Sequence, residues 1–147
     1  MRRIILLLVC VCMAAMAMAQ DALFKKYSNT RGVETVFISK AMLNMMGTVE
    51  VNDRQLSTKK IDRIQIMSCE RPSMVRTIKA EALAAFQRGR YEEMMRMHDD
   101  DEQTIIYGKS LGHGLSEFVL FETERDEINI INIRGRITLN DIKHLAD

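Results

Sequence analysis

The strongest constraint on the fold of this 147-residue chain lies between residues 91 and 134. Four strand-like segments follow one another there with short polar joints: "YEEMMRMH", "QTIIYGK", "SEFVLFET" and "EINIINIR". Consecutive strands with short joints usually pair as antiparallel hairpins. The first segment carries the weakest strand signal, because Glu and Met also suit a helix. The sequence therefore predicts a four-strand meander in its C-terminal half.

The first half alternates between helical and strand-like segments. The periodicity predicts a helix in "DALFKKYSN", a strand in "GVETVFIS", a helix in "KAMLNMMG" that ends at Gly47, and a strand in "IDRIQIMSC". Between the last two, the polar and mixed stretch "TVEVNDRQLSTKK" predicts a loop or a ragged edge.

The clearest helix begins at Pro72 and ends at Gly89, because Pro suits the first turn and Gly the stop. A last short helix begins at Thr138, where "TLND" has the spacing of a capping box. The apolar residues of the long helix recur at helical spacing, which predicts one buried face. That face consists of Val75, Ile78, Ala82, Ala85 and Phe86.

The order of these elements favours an α+β fold. We expect a mainly antiparallel sheet with a C-terminal four-strand meander and with helices packed on one face. The other sheet face should be partly polar, because Glu127 and Asn129 point opposite to Ile128 and Ile130 along one strand.

The first 19 residues have the pattern of a secretory signal peptide. Two arginines precede the apolar stretch from Ile4 to Met13, and Ala17 and Ala19 form an A-x-A-like cleavage site. We therefore expect cleavage after Ala19 and one mature domain spanning residues 20–147. The expected location is the periplasm or the cell surface.

The composition of the mature chain excludes several classes of partner. Removing the signal peptide changes the formal net charge from +1 to −1, which argues against nucleic acid and anionic membranes as partners.

Cys69 remains as the single cysteine of the mature chain, so no intramolecular disulfide can form. A lipid anchor is disfavoured because Val9 is a poor residue before Cys10. No later segment approaches the roughly 20 apolar residues of a membrane span.

The acid run Asp99–Glu102 is the most prominent candidate for a site. A calcium-binding EF-hand loop needs Gly at its sixth position and Glu at its twelfth, and counting from Asp99 these are Thr104 and Ser110. Aspartate also favours turns, because its carboxylate bonds nearby backbone N–H groups. We predict a solvated hairpin turn, with a calcium site or a pair of catalytic carboxylates as alternatives.

The histidines and the glycine-rich string have similarly ordinary interpretations. His98, His113 and His144 fall on separate elements, which disfavours a shared zinc site. The string "GKSLGHG" is followed by a strand, whereas a phosphate-binding P-loop is followed by a helix. We therefore predict a hairpin loop for the string.

Met95 and Met97 would share one strand face, where thioethers could bind Cu(I) or fill core space; we favour packing. Cys69 could be a nucleophile activated by Arg71, but a buried cysteine at a strand end is the simpler interpretation. The sequence thus predicts no catalytic residue, no cofactor site and no metal site.

Three strings resemble a known family: "VFISKAMLNMM", "YEEMMRMHDDDEQTIIYGK" and "INIINIRGRITLNDIKHLAD". They resemble small exported proteins of Bacteroidetes grouped as domain-of-unknown-function family 4252, from about Leu23 to Leu145. The resemblance implies an exported α+β domain and carries no catalytic or ligand residues. Many relatives look like lipoproteins and are encoded beside extracytoplasmic sigma factors, which implies a role in envelope signalling.

The function that these observations favour is binding. We expect an exported, non-enzymatic envelope protein that acts as a binding or signalling-accessory module for a protein partner. The alternatives are a hydrolase with a dispersed site and a metal- or copper-handling protein. Glu117 in "SEFVLFET" is expected on an exposed face, so that Glu117→Arg would weaken partner binding and leave the fold intact.

The signal-peptide pattern makes a prediction about processing. Intact-mass analysis of the exported protein should show a chain that begins at Gln20, with or without cyclisation of that residue to pyroglutamate. A mass corresponding to a lipidated Cys10 or Cys12 would contradict this prediction.

Overall fold

The computed structural model describes residues 19–146. Within that range the chain forms four α-helices: α1 (Ala19–Tyr27), α2 (Lys40–Met46), α3 (Pro72–Arg88) and α4 (Leu139–Ile142). It also forms eight strands: β1 (Val33–Ser39), β2 (Thr48–Val51), β3 (Arg54–Ser57), β4 (Ile61–Cys69), β5 (Glu92–Asp99), β6 (Glu102–Gly112), β7 (Leu115–Glu124) and β8 (Glu127–Gly135). Short 3₁₀ turns span Thr58–Lys60 and Lys143–Leu145.

Six strands form one antiparallel sheet in the order β1-β4-β8-β7-β6-β5. This confirms the predicted α+β class, the mainly antiparallel sheet and the C-terminal meander, which is β5 to β8. None of the four described helices is long and apolar enough to cross a membrane. The predicted signal peptide falls on residues 1–19, and residues 1–18 of it lie outside the described part of the chain.

The two longest helices, α1 and α3, pack on one face of the sheet. The predicted face of α3 is confirmed, since Val75, Ile78, Ala82, Ala85 and Phe86 are all buried. They pack in one cluster with residues of the central strands, among them Met67, Ile130 and Phe121.

Helix α1 lies beside α3 on this face. Leu23 and Phe24 are buried in the same cluster. The Tyr27 hydroxyl donates to Glu81 of α3 at 2.7 Å, and the Lys26 ammonium pairs with the same carboxylate at 2.6 Å. Burial and the neighbouring Glu81 raise the pKa of Tyr27 to about 12. Apolar packing and this polar contact together fix α1 against α3.

The opposite sheet face carries a second apolar cluster. Its strand residues include Ile64, Ile131 and Ile133, and it is covered by Leu43 of α2 and Ile142 of α4 together with the β2–β3 hairpin. The predicted polar part of this face lies at the start of β8, at Glu127 and Asn129. As expected, their side chains point to the other sheet face from those of Ile128 and Ile130. The central strands are therefore buried on both sides.

The hairpin corrects one prediction, because residues 48–60 were expected to form a loop or a ragged edge. Asn52 and Asp53 both have positive φ, at 50° and 60°, as a two-residue hairpin turn requires. Val49, Val51 and Leu56 alternate with exposed residues and are buried. Each strand has only four residues, too few for a clear periodic signal, and polar residues between the apolar ones obscured it.

The burial of α3 makes a prediction about stability. Ile78 is fully buried, whereas Leu83 on the same helix is 37% exposed. Ile78→Ala should lower the free energy of unfolding by about 2–5 kcal/mol, because it leaves a cavity in the core. Leu83→Ala, the matched control, should change it by less than about 1 kcal/mol. Urea titration of both variants measures the difference, and equal effects would show that the core assignment is wrong.

Candidate functional site

The acid run forms a hairpin turn, as predicted. Asp99 ends β5, Glu102 begins β6, and Asp100 has a φ of 46°. The Asp101 carboxylate forms an ion pair with the exposed Arg125 of the adjacent β7–β8 turn. The four consecutive acidic residues therefore form a surface turn, and one of them, Asp101, pairs with a neighbouring cation.

The histidines lie on three separate elements. His98 is on β5, His113 is in the β6–β7 turn, and His144 is in the 3₁₀ turn that follows α4. No group of three or more His, Cys, Asp or Glu residues in the described part of the chain is placed to hold a metal ion. The glycine-rich string ends in a hairpin turn, as predicted, in which Gly112, His113 and Gly114 all have positive φ.

The methionine and cysteine candidates take part in packing. Met95 and Met97 lie on the same face of β5, since both pair with β6 two residues apart. Met95 packs against the second core cluster. Cys69 is a buried residue at the end of β4, which confirms the interpretation as a strand-end cysteine.

Glu117 is buried, which makes the expectation of an exposed Glu117 wrong. Its side chain is only 8% exposed and accepts hydrogen bonds from Asn132 at 2.7 Å and from Arg63 at 3.3 Å. An arginine at this position would lie beside Arg63 without its counter-charge. Glu117→Arg should therefore disturb the fold instead of testing a surface.

Glu117 belongs to a polar cluster under the first turn of α1. The Asn132 side-chain amide also donates to the side-chain oxygen Oε1 of Gln20 at 2.7 Å. The Arg63 guanidinium forms an ion pair with the Asp21 carboxylate at 3.1 Å. Burial and the adjacent Glu117 raise the pKa of the Tyr91 hydroxyl. Buried side-chain atoms that lack a hydrogen-bond partner in residues 19–146 concentrate in and beside this cluster: Gln20 Nε2, Arg63 Nε, Gln65 Oε1 and Asn132 Oδ1.

A second polar cluster lies on the opposite sheet face, around Glu122. Its carboxylate accepts hydrogen bonds from the side-chain amides of Asn129, at 2.8 Å, and of Asn52. Asn52 also donates to the Leu145 carbonyl at 3.0 Å, which holds the β2–β3 turn against the C-terminal segment. Burial raises the pKa of Glu122, and the two amide hydrogen bonds oppose that rise.

Glu122 borders a polar depression with a volume of about 480 Å³. Asp53, His98 and Glu102 also line this depression. A carboxyl group whose pKa is raised by burial can donate a proton to a molecule bound beside it. The structure thus brings together titratable residues that the sequence does not place near each other.

Exposed apolar side chains concentrate at the other end of the sheet. In the described chain, seven large apolar residues are exposed, and five of them fall between residues 36 and 46. Phe37 on β1 is 63% exposed and Met45 on α2 is 84% exposed. We call these residues along the open end of the sheet the β1–α2 surface: Val36, Phe37, Met42, Met45 and Met46. Phe37 points to the α1 side of β1 and Val36 to the opposite side.

Phe37 borders a depression of about 270 Å³ between α1 and β1. Phe24 and Lys25 of α1 line one side, and Gln65 of β4 lies next to β1 at its base. A peptide segment that paired with β1 would therefore lie near the Phe37 ring, the Lys25 ammonium and the Gln65 amide.

The two edges of the sheet differ in their protection against further pairing. Strand β5 has a bulge between Glu93 and Met95 and carries several charged residues along its length. Strand β1 is paired to β4 without a shift from Val33 to Ser39, and Glu34 is its single charged residue. Bulges and charges protect a sheet edge from unwanted pairing, so β1 is the open edge.

Sequence reasoning missed the β1–α2 surface. The string "VFISKAMLNMM" was interpreted as a strand followed by a helix, with no prediction of which helix side chains face a core. Only Leu43 of α2 does so, while Met42, Met45 and Met46 lie on the outer side. The available signal was the number of large apolar residues in this helix. Three methionines and a leucine in seven residues are too many to fit on one buried face.

Comparison with known proteins places the chain in a family. The model for a domain of unknown function, DUF4252, matches residues 27–145. The chain belongs to this family. The resemblance predicted from the sequence to domain-of-unknown-function family 4252 is therefore confirmed.

No curated protein matches the sequence. Among solved structures, the chain is similar to PA94 from Pseudomonas aeruginosa, a protein of unknown function proposed to be a regulator. The identity is 11%, the TM-score is 0.36, and the match covers 80% of this DUF4252 chain and 77% of PA94. A similarity this distant indicates no function for the chain.

The environment of Glu122 makes a prediction about pH dependence. Because burial raises its pKa above the unfolded value, its contribution to stability is present below the unfolded pKa and is lost as pH rises through the folded pKa. Glu122→Gln removes this titration. The stability of the variant relative to the parent should therefore increase between pH 4 and pH 7, measured by urea unfolding at about those two values. A relative stability that falls over this range would contradict the raised pKa.

Proposed function

We propose that this DUF4252 protein is an exported envelope protein that acts by binding a protein partner through the β1–α2 surface. Export is supported by the signal-peptide pattern that ends at Ala19. Binding is supported by one observation above the others, which is the concentration of exposed apolar side chains beside the open edge of the sheet.

The chemistry of this surface suits a protein partner. Concentrations of exposed apolar side chains mark interaction sites, because leaving them in water gives up the free energy of burial. Here they lie on both sides of the open edge, where a partner that pairs with β1 would cover them. Aromatic and methionine residues are enriched at interfaces, and Met adapts its shape to a partner. The free backbone groups of β1 offer hydrogen bonds to an added strand. The surface thus combines apolar anchors, here Phe37 and Met45, with backbone pairing.

Hydrolysis is a second candidate, favoured by the depression beside Glu122. A carboxyl group whose pKa is raised by burial can donate a proton to a leaving group, and Glu122 borders a depression large enough for a small substrate. Turnover of a substrate that depends on Glu122 would distinguish this activity from binding at the β1–α2 surface.

The binding proposal is tested by site-specific photo-crosslinking in cells that export the protein. A photoreactive phenylalanine replaces Phe37 in one variant and Leu83 in the control, since both side chains are exposed and apolar. We expect protein adducts from position 37 and none from position 83. Adducts at equal yield from both positions, or none from position 37, would overturn the proposal.

A further inference from the structure

The two ends of the six-stranded sheet differ in charge. At one end the β5–β6 and β7–β8 turns lie side by side, joined by the ion pair of Asp101 with Arg125. The acidic residues of these turns are Asp99, Asp100, Asp101, Glu102, Glu124, Asp126 and Glu127. At the other end lie the β6–β7 turn, the end of β8 and the start of β4, because Gly135 pairs with both Ser116 and Ile61. We call this the basic end, after its basic residues: Lys59, Lys60, Lys109, Arg134 and Arg136.

Backbone contacts bring the cations of the basic end together from separate segments. The Arg136 amide donates to the Lys60 carbonyl at 2.8 Å, and the Arg136 guanidinium donates to the His113 carbonyl at 2.6 Å. Gly135 makes this close approach possible, since a Cβ there would clash with the Lys60 carbonyl oxygen. Lys59, Lys60 and Arg136 are all exposed. The fold therefore presents a cluster of positive charge to solvent.

Three carboxylates at the basic end are engaged within the fold. Glu117 is buried, and Asp62 pairs with Lys40 at 2.9 Å. Asp141 caps α4 by accepting a hydrogen bond from the Thr138 amide at 2.8 Å. Positive charge is therefore left over at this end.

We propose that the basic end binds a membrane surface rich in anionic phospholipids, with the exposed cations Lys59, Lys60 and Arg136 against the phosphate groups. This inference rests on the export proposed above and goes beyond binding of a protein partner. Basic side chains close to an anionic leaflet are attracted by its surface potential, and the attraction increases with each added cation. The basic end has the chemistry that such a surface recognises.

The separation of the two ends makes the net charge of the chain a poor guide to this interaction. Strand β8 has nine residues, so the basic end lies about 30 Å from the acidic turns. The Debye length at physiological salt is about 8 Å, so a membrane at the basic end is screened from the acidic turns. The near-zero net charge, which argued against an anionic membrane, therefore conceals a local surplus of cations.

The start of α1 explains why a membrane is the expected occupant. Asp21 pairs with Arg63 of β4 at 3.1 Å, so the described chain begins beside the basic end. In the exported precursor the apolar stretch Ile4–Met13 is the part that enters the membrane. The six residues 14–19 can span at most about 20 Å. Export thus delivers the domain with its basic end next to the membrane surface.

Vesicle flotation of the exported protein tests the proposal. The parent should float with vesicles of phosphatidylcholine that contain phosphatidylglycerol, and about 0.5 M salt should release it, because salt screens the attraction. Lys59→Gln combined with Lys60→Gln should weaken binding about tenfold or more. The matched control is Arg76→Gln combined with Lys79→Gln, which removes the same charge from exposed positions of α3 beside the acidic turns. This control should bind as the parent does.

Several results would overturn the inference. These are equal binding to pure phosphatidylcholine vesicles, no binding at low salt, and equal losses in the two double variants. Thermal unfolding verifies that each variant is folded. If the parent ignores the vesicles but binds the sulfated polysaccharide heparin through Lys59 and Lys60, the ligand is a soluble polyanion and the membrane is the wrong partner.

The vesicle experiment and the photo-crosslinking experiment fail independently. Adducts from position 37 without vesicle binding leave the protein-binding proposal standing and reject the membrane. Vesicle binding without adducts from position 37 gives the opposite result. A lipidated Cys10 or Cys12 would instead contradict the processing on which the exported form depends.

Discussion

The burial of β8 on both faces is the constraint on which the rest of the structure depends. Each face of this strand carries two isoleucines and one asparagine, and each asparagine donates to a glutamate of β7. Asn129 bonds Glu122 at 2.8 Å on one face, and Asn132 bonds Glu117 at 2.7 Å on the other. A buried amide costs free energy unless it is hydrogen-bonded, so these pairs fix the polar ends of both cores.

The peripheral elements complete these two polar pairs. Gln20, in the first turn of α1, accepts a hydrogen bond from Asn132, while Asn52, in the β2–β3 turn, donates to Glu122. Each element therefore brings an apolar face to a core cluster and a polar side chain to one end of β8. Hydrogen bonds to the central strands, as well as apolar contacts, therefore position both α1 and the β2–β3 hairpin.

The elements that the sequence predicted well are those with long periodic patterns. Residues 72–88 repeat at helical spacing, and the meander strands have eight to eleven residues each. The β2–β3 hairpin was missed because four-residue strands give too few repeats. Burial of Glu117 was missed for a different reason. Its cover includes Gln20 and Asp21 of α1, and Gln20 lies 112 positions from Asn132, from which it accepts a hydrogen bond.

The candidate sites depend on similarly distant contacts. Asn52 reaches Glu122 across 70 positions, so no local pattern could place the turn of the hairpin beside that carboxyl group. The β1–α2 surface is different, because its residues all fall between positions 36 and 46. What the sequence lacked there was the exposure of each side chain, which follows from the place of β1 at the end of the strand order.

The strand order also limits how the protein can associate. Both sheet faces carry buried clusters, so new strands can add only at an edge. A bulge and charged side chains protect β5, which leaves β1 as the open edge of the six-stranded sheet. A strand from a partner would therefore extend this sheet at β1, while the protected β5 stays at the opposite edge.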